Sequence, residues 1–184
     1  MTLKLTLTKT DIDGCFIVPP RRFEDERGVF IERFRVTPIV LENKSPVQFV
    51  QGNHVISHKA GTLRGLHCQL MPYMQAKLVE VLRGEIRDVV VDIRPGSATF
   101  MKAIHVDMAR GTGALYVPKG CLHGYVTKTD NTEVSYLVSD EYVPEYERAV
   151  RWDSVDVDWG VKSPIVSDKD ASAPPLSEFI ITAS

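Results

Sequence analysis

The chain is short of the features that mark most simple functional classes. Its 184 residues include only three cysteines, Cys15, Cys68 and Cys121, scattered and without paired spacing. That argues against a disulfide framework or a zinc knuckle and fits a reducing, cytoplasmic setting. No H-x-H or H-E-x-x-H occurs among the five histidines. His54 and His58 are four apart, which in extended chain is no ligand signature, so no dedicated metal site is expected. An excess of one charge is also lacking: 22 basic against 24 acidic residues leaves −2. This argues against a nucleic-acid or membrane-surface partner, while leaving room for an anionic ligand held by a few local arginines. No apolar run is long enough to span a bilayer. The opening MTLKLTLTKTDIDG alternates polar and apolar residues and lacks the apolar core of a signal peptide.

What the sequence does contain is strand. Hydrophobic residues make up 43% and charged residues 25%, an ordinary globular balance, and the length suits one domain over residues 1–184. Short segments rich in Val, Ile, Phe, Tyr and Thr recur between Gly, Pro, Asn and Asp. KLVEVLRGEIRDVVVDIR (77–94) reads as a hairpin turning at Arg83-Gly84. GALYVPKG (113–120) and GYVTKTDNTEVSYLVS (124–139) read as further strands, the latter pair joined by KTDN. Helical periodicity is scarce: TPIVLEN (37–43) is read as one short helix, and the tail 163–179 as loop with a turn of helix. Many short antiparallel strands imply an all-β sandwich or barrel such as a jelly roll. Such a fold holds ligands between its sheets.

Some polar residues do not fit a plain core. A lone histidine in an apolar strand is more often structural than catalytic, and His67 alone carries little weight. Arg64, three residues earlier, changes the balance, because a guanidinium is rarely buried without an anionic partner. Strict alternation would put the two on opposite faces. Gly65 between them permits a bulge that brings both to one side. Lys77 opens a strand; its ammonium either sits in water or points into the barrel, where it would stabilise developing negative charge. His123, in PKGCLHGY, marks a tight entry into a strand. Tyr136, in TEVSYLVS, has the ready explanation of a core tyrosine with a satisfied hydroxyl.

Seven blocks run in one order: FEDERGVFIERF (23–34), FVQGNH (49–54), GTLRGLHCQ (61–69), QAKLVEVLRGEIRDVVVDIR (75–94), VPKGCLHGY (117–125), EYVPEYERAVRWD (141–153) and SDKDASAPPL (167–176). In these blocks the chain resembles the RmlC-type dTDP-4-dehydrorhamnose 3,5-epimerases, over residues 14 to 179. The resemblance implies a cupin-like jelly roll with a few short helices, a homodimer, a nucleotide-sugar substrate, no cofactor and no metal. It implies that His67 is the general base with Asp170 as its hydrogen-bonding partner. Lys77 would stabilise an enolate, and Tyr136 would be the acid on the opposite face of the sugar. Arg64 matches a ligand-binding arginine at the diphosphate or sugar. Arg27, Phe30 and Glu32 match nucleotide-contacting positions, some of which reach a neighbouring subunit's ligand, and Gln51, Asn53, His123 and Lys169 match others lining the pocket.

The implied chemistry accounts for these residue types. A ketone at C4 acidifies the C–H bonds at C3 and C5, so inversion needs no redox cofactor. A base takes the proton, a cation stabilises the enolate oxygen, and an acid across the ring returns a proton from the other face. An acidic partner orients the histidine, and arginines suit the pyrophosphate. Two departures bear on which sugar or nucleotide fits. Position 68 is Cys where the family usually has an aromatic residue, and NHVISHKAG replaces a serine-rich stretch, of which Ser57 remains. The competing readings are a single-carbon epimerase on a CDP- or GDP-linked 4-keto sugar, a metal-dependent cupin enzyme, and a non-catalytic sugar-nucleotide-binding module. The last has no use for an acid–base set.

Overall fold

A computed structural model describes residues 7–36, 39 and 47–183, of which 180–183 are described in backbone only. The described strands run β1 (Thr8–Lys9), β2 (Phe16–Val18), β3 (Arg21–Asp25), β4 (Gly28–Glu32), β5 (Gln51–Ser57), β6 (Leu63–Gln69) and β7 (Lys77–Arg83). They continue as β8 (Glu85–Asp92), β9 (Ala103–Ala109), β10 (Ala114–Val117), β11 (Cys121–Thr127), β12 (Thr132–Val138) and β13 (Glu147–Ala149), followed by helices α1 (Asp168–Ala171) and α2 (Leu176–Ala183). One sheet has the order β1-β2-β10-β7-β12-β5 and the other β13-β6-β11-β8-β9, while β3 and β4 form a separate hairpin. The ladders are antiparallel throughout. This is the all-β sandwich with short helices that the sequence predicts, of the cupin-like jelly-roll type.

Period-two alternation sorts the side chains into three cores. Val79 and Val81 of β7, with Leu115, Val117 and Val134, meet Ile86, Val90, Met108 and Tyr125 between the sheets. Leu78, the residue between Lys77 and Val79, points the other way and packs with Phe16, Val18 and Tyr116 outside the first sheet. Outside the second sheet, Leu63, Leu66, Leu122 and Val126 are covered by Val150, Val155, Trp159, Leu176 and Phe179 of the C-terminal segment. Each such aliphatic side chain contributes about 1.5–3 kcal/mol on burial. The covering segment therefore holds α1 firmly beside β6.

One expectation fails here. Residues 77–94 are not a hairpin: β7 pairs with β10 and β12, and β8 pairs with β9 and β11 in the opposite sheet. Gly84, at φ +78°, is a corner between sheets, where a Cβ would lie 2.5 Å from the hydroxyls of Thr129 and Thr132. The reason is burial. Both strands carry an apolar stripe, and crossing between sheets lets Val79 and Val81 face Ile86 and Val90 across one core, which a flat hairpin cannot do. β11 and β12, joined through Lys128–Asn131, cross in the same way. The helix expected over 37–43 lies outside the described residues apart from Ile39. The tail is more helical than expected, with α1 and α2 in place of a single turn.

The bulge is present. His67 pairs with His123 and Arg64 with Tyr125, so β6 spends one residue more than β11 between those pairs. Gly65, at φ +121°, sits in the slack, and a Cβ there would come within 2.6 Å of Gly124 Cα and 2.9 Å of His123 O. Those neighbours are backbone and cannot step aside. Gly65→Ala is expected to cost about 2–4 kcal/mol from backbone strain and overpacking together. Urea unfolding should show a lower midpoint with an unchanged slope; a wild-type midpoint would mean that β6 tolerates a side chain there.

Candidate active site

Between the sheets, at the side where β5 and β13 are edge strands, a cavity of about 290 Å³ opens. Its wall includes Gln51 and Asn53 of β5, His67 and Gln69 of β6, Lys77 of β7, Tyr136 of β12 and Glu147 of β13. Alternation places them: Lys77 shares its face with Val79 and Val81, and Tyr136 shares its face with Val134. The bulge moves His67 onto the face that Arg64 already occupies, while Leu63, Leu66 and Cys68 face the outer core.

His67 Nε2 lies 2.6 Å from Asp170 Oδ1, and the second carboxylate oxygen accepts the Gly65 N–H at 3.3 Å. A carboxylate only accepts, so Nε2 carries a ring proton and Nδ1 is the nitrogen left outside that bond. Asp170, on α1, is 5% exposed. The short helix is capped by the Ser167 hydroxyl, which accepts the Asp170 N–H at 3.2 Å. Burial alone would push the Asp170 carboxyl up, but its hydrogen bond to His67, the His67 charge and the Gly65 N–H hold it below the usual range. Burial pushes Lys77 down, opposed by Cys68 and by the carboxylates of Asp88 and Glu147. Burial raises Tyr136, with Arg64 pulling it back and Glu147 adding to the rise. At neutral pH Tyr136 therefore holds its proton, as an acid must.

The structure thus brings His67, Asp170, Lys77, Tyr136, Gln51 and Asn53 together. Arg64 stands on the same inner face, its Nε donating to Ser57 Oγ at 3.4 Å. His123 lies behind the cavity, directly cross-strand from His67 and bonded to Asp88 Oδ2 at 3.0 Å. Lys169 sits at the rim, ion-paired with Glu147. Arg27, Phe30 and Glu32 are not at this cavity. They lie on the β3–β4 hairpin, where Phe30 is 69% exposed, Arg27 pairs with Asp25 at 2.6 Å, and Glu32 is held by Arg35 at 2.7 Å.

At the rim, sequence reasoning named Gln51 and Lys169 but missed Gln69, Tyr142 and Glu147. Gln69 donates to the carbonyls of Tyr73 (2.7 Å) and Glu141 (3.1 Å) and accepts the Val143 N–H (2.7 Å). Gln51 Oε1 accepts the Tyr142 N–H at 2.9 Å. The loop so buckled presents Tyr142, whose hydroxyl donates to Glu147 Oε2 at 2.8 Å. Nothing in the spacing of EYVPEYER signals this; only the closure of β13 against β6 puts Glu147 beside His67. Cys68, the family's usual aromatic position, packs into the outer core and also borders the cavity, and burial pushes its thiol up to about 11. Among the described residues no group of three or more His, Cys, Asp or Glu side chains is gathered as a metal would need. No helix among them is long and apolar enough to cross a membrane.

Fold and site together define a cupin-like jelly roll with an acid–base pocket between its sheets. Residues 9–178 match the family model for dTDP-4-dehydrorhamnose 3,5-epimerase. The dTDP-4-dehydrorhamnose 3,5-epimerase of Shigella flexneri is 41% identical over 169 residues, covering 90% of this chain and 93% of that protein. The crystal structure of the enzyme of that name from Elizabethkingia anophelis superposes with a TM-score of 0.89 at 36% identity, over 95% of this chain and 98% of the other. A Legionella pneumophila homologue, RmlC, solved with dTDP-4-keto-L-rhamnose, gives 0.85 at 35% identity, over 94% and 93%. The chain belongs to the dTDP-4-dehydrorhamnose 3,5-epimerase family, a family of isomerases.

Asp170→Asn keeps the shape of the dyad and removes its charge. We expect turnover to fall about 10²- to 10⁴-fold. A folded-state value below the ordinary carboxylate pKa of about 4 means that Asp170 stabilises the fold fully above that pH and progressively less as the pH falls through the lower value. The stability gap between wild type and Asp170→Asn should therefore shrink on acidification, followed by thermal unfolding from pH 7 downward. A gap that widens in acid would contradict the dyad.

Proposed function

We propose that the protein inverts C3 and C5 of dTDP-4-dehydro-6-deoxyglucose to give dTDP-4-dehydrorhamnose, a step of deoxysugar biosynthesis that consumes no redox cofactor. The observation that carries this is the His67–Asp170 contact on a cavity that also holds Lys77 and Tyr136. His67 is the base: it takes the proton α to the C4 ketone, and the electron pair of the broken C–H bond passes into the enolate. Asp170 orients the ring and stabilises the imidazolium. Lys77 is the cation for the enolate oxygen. Tyr136 returns a proton to carbon from the opposite face, and the enolate closes back to the ketone.

Arg64 and Lys169 are positive groups suited to the diphosphate, and Gln51 and Asn53 frame the sugar, with His123 standing behind the pocket wall. Arg27, Phe30 and Glu32 reach the ligand of a second subunit in a homodimer. An exposed hairpin carrying Phe23 and Phe30 as a cross-strand pair, at 47% and 69% exposure, supports this, since apolar side chains of this size mark a contact surface. Residues 1–184 act as one epimerase domain in a reducing cytoplasm, consistent with three unpaired, buried cysteines; nucleic acid and membrane have no part in it.

Deuterium incorporation from solvent tests the reaction. With dTDP-4-dehydro-6-deoxyglucose in D₂O, label should enter at both C3 and C5. Label at one carbon only, or turnover confined to a CDP- or GDP-linked sugar, would replace this reading with the narrower one. His67→Ala should lose turnover by at least about 10²-fold while the KM changes far less, because proton abstraction is a transition-state role. Sedimentation at micromolar protein should give a dimer; a monomer would remove the hairpin from the site.

A further inference from the structure

The inter-sheet core against which Tyr136 packs contains two buried polar atoms that complete no hydrogen bond among the described residues: the hydroxyl of Tyr125, and Asp88 Oδ1, which still lies 2.9 Å from His123 Nε2. Such atoms are uncommon, because a buried, unsatisfied polar group loses its hydration with no return. These two are neighbours. Tyr125 of β11 pairs directly with Asp88 on β8 and with Arg64 on β6. All three lie on the face of the second sheet that looks toward β12. Tyr125 is 4% exposed and belongs to the inter-sheet core against which Tyr136 packs. Ser57, itself engaged by Arg64 at 3.4 Å, interacts with the Tyr125 hydroxyl without completing a hydrogen bond. The remaining contacts that could use the hydroxyl are electrostatic. Arg64 pulls both phenols down, and the charge of Tyr136 pushes Tyr125 up.

An acid that gives up its proton between two sheets leaves a phenolate there. In each inversion His67 gains one proton and Tyr136 loses one, so the enzyme stands as imidazolium and phenolate until a proton returns to Tyr136. The phenolate needs a donor that does not compete for the Tyr136 proton beforehand, and a hydroxyl held only by a weak contact to Ser57 meets that need.

We propose that Tyr125 is a positioning residue for the acid. When Tyr136 has delivered its proton, the Tyr125 hydroxyl donates a hydrogen bond to the Tyr136 phenolate oxygen, directly or through one trapped water, with Arg64 as the nearby positive charge. Tyr125 gives up no proton to carbon and touches no reacting atom. Burial pushes its hydroxyl up to about 12, so it remains a donor at any working pH. The proposal rests on Tyr136 being the acid.

The test is Tyr125→Phe beside Tyr136→Phe, both assayed for inversion and for solvent deuterium exchange. Losing one hydrogen bond to a charged group should lower the kcat of Tyr125→Phe about tenfold with the KM nearly unchanged. Inversion should fall more than exchange, because His67 and Lys77 still form the enolate. A donor to the phenolate lowers the pKa of Tyr136; without it the basic limb of the pH–rate profile should move to higher pH. The melting temperature should hold or rise, since the hydroxyl removed completes no full hydrogen bond in the ground state. Unchanged kcat, exchange ratio and basic limb would make Tyr125 a core aromatic and overturn the proposal. So would a lower melting temperature with inversion and exchange falling in parallel. If Tyr136→Phe itself retains inversion, the acid assignment falls and the role of Tyr125 with it. Loss of inversion in Tyr136→Phe with an unaffected Tyr125→Phe would remove Tyr125 alone.

Discussion

The site depends on one gap in the edge of β6. Along that edge Leu66 exchanges two backbone hydrogen bonds with Val150, and Leu63 donates to Ile165 at 2.8 Å. Gly65, in the slack of the bulge between them, is left with an N–H that neither neighbouring segment reaches. The Asp170 carboxylate takes it, and its other oxygen takes His67. One side chain thus satisfies the irregular backbone and orients the imidazole. The local ladder is irregular where the ring must turn inward, so the cost of the bulge and the placement of the base have one cause. The C-terminal segment is the other half of this device. Trp159, Leu176 and Phe179 press on the outer face of the same sheet. Arg151 N–H bonds Pro174 O at 2.9 Å, and Leu176 N–H bonds Ser154 Oγ at 3.0 Å. Apolar burial on one face of β6 therefore fixes a carboxylate that works on the other.

Much of this is legible in the sequence, unevenly and for physical reasons. The all-β class follows from alternation and punctuation, which are local. The bulge at Gly65 is legible because Arg64 and His67, three apart, cannot share a face of a regular strand. The sheet assignment of β7 and β8 is not. A tight glycine corner reads the same whether the chain folds back beside itself or crosses to another sheet, and only the wish of two apolar stripes to face each other decides. Asp170 comes from family resemblance rather than pattern, being more than a hundred residues from His67 on a four-residue helix. Glu147 and Tyr142 escape for a related cause: their position rests on the amides of Gln51 and Gln69, which hold loop backbone that no periodicity marks. Contacts closed by irregular segments are where sequence reading stops.

On the proposed mechanism, burial asks opposite things of the two groups assigned to the enolate. It pushes Tyr136 and Lys77 alike toward their neutral forms. For Tyr136 this agrees with the task, because an acid must keep its proton, and Arg64 limits how far the push goes. For Lys77 it opposes the task, because only the ammonium form can stabilise an oxyanion. Cys68, Asp88 and Glu147 would restore its charge, but Cys68, pushed up to about 11, is a neutral thiol at pH 7. The work falls to the two carboxylates. Asp88 is wholly buried and bonded to His123, which gives that second histidine a structural reason to stand behind the pocket. Glu147 acts on Lys77 and on Tyr136, and it is in turn drawn down by Lys169, Tyr142 and His67. Its charge favours the cation of Lys77 and the proton of Tyr136 at once. The protonation of the pocket is therefore governed in part from the rim, where Glu147 is tied to Lys169 and Tyr142.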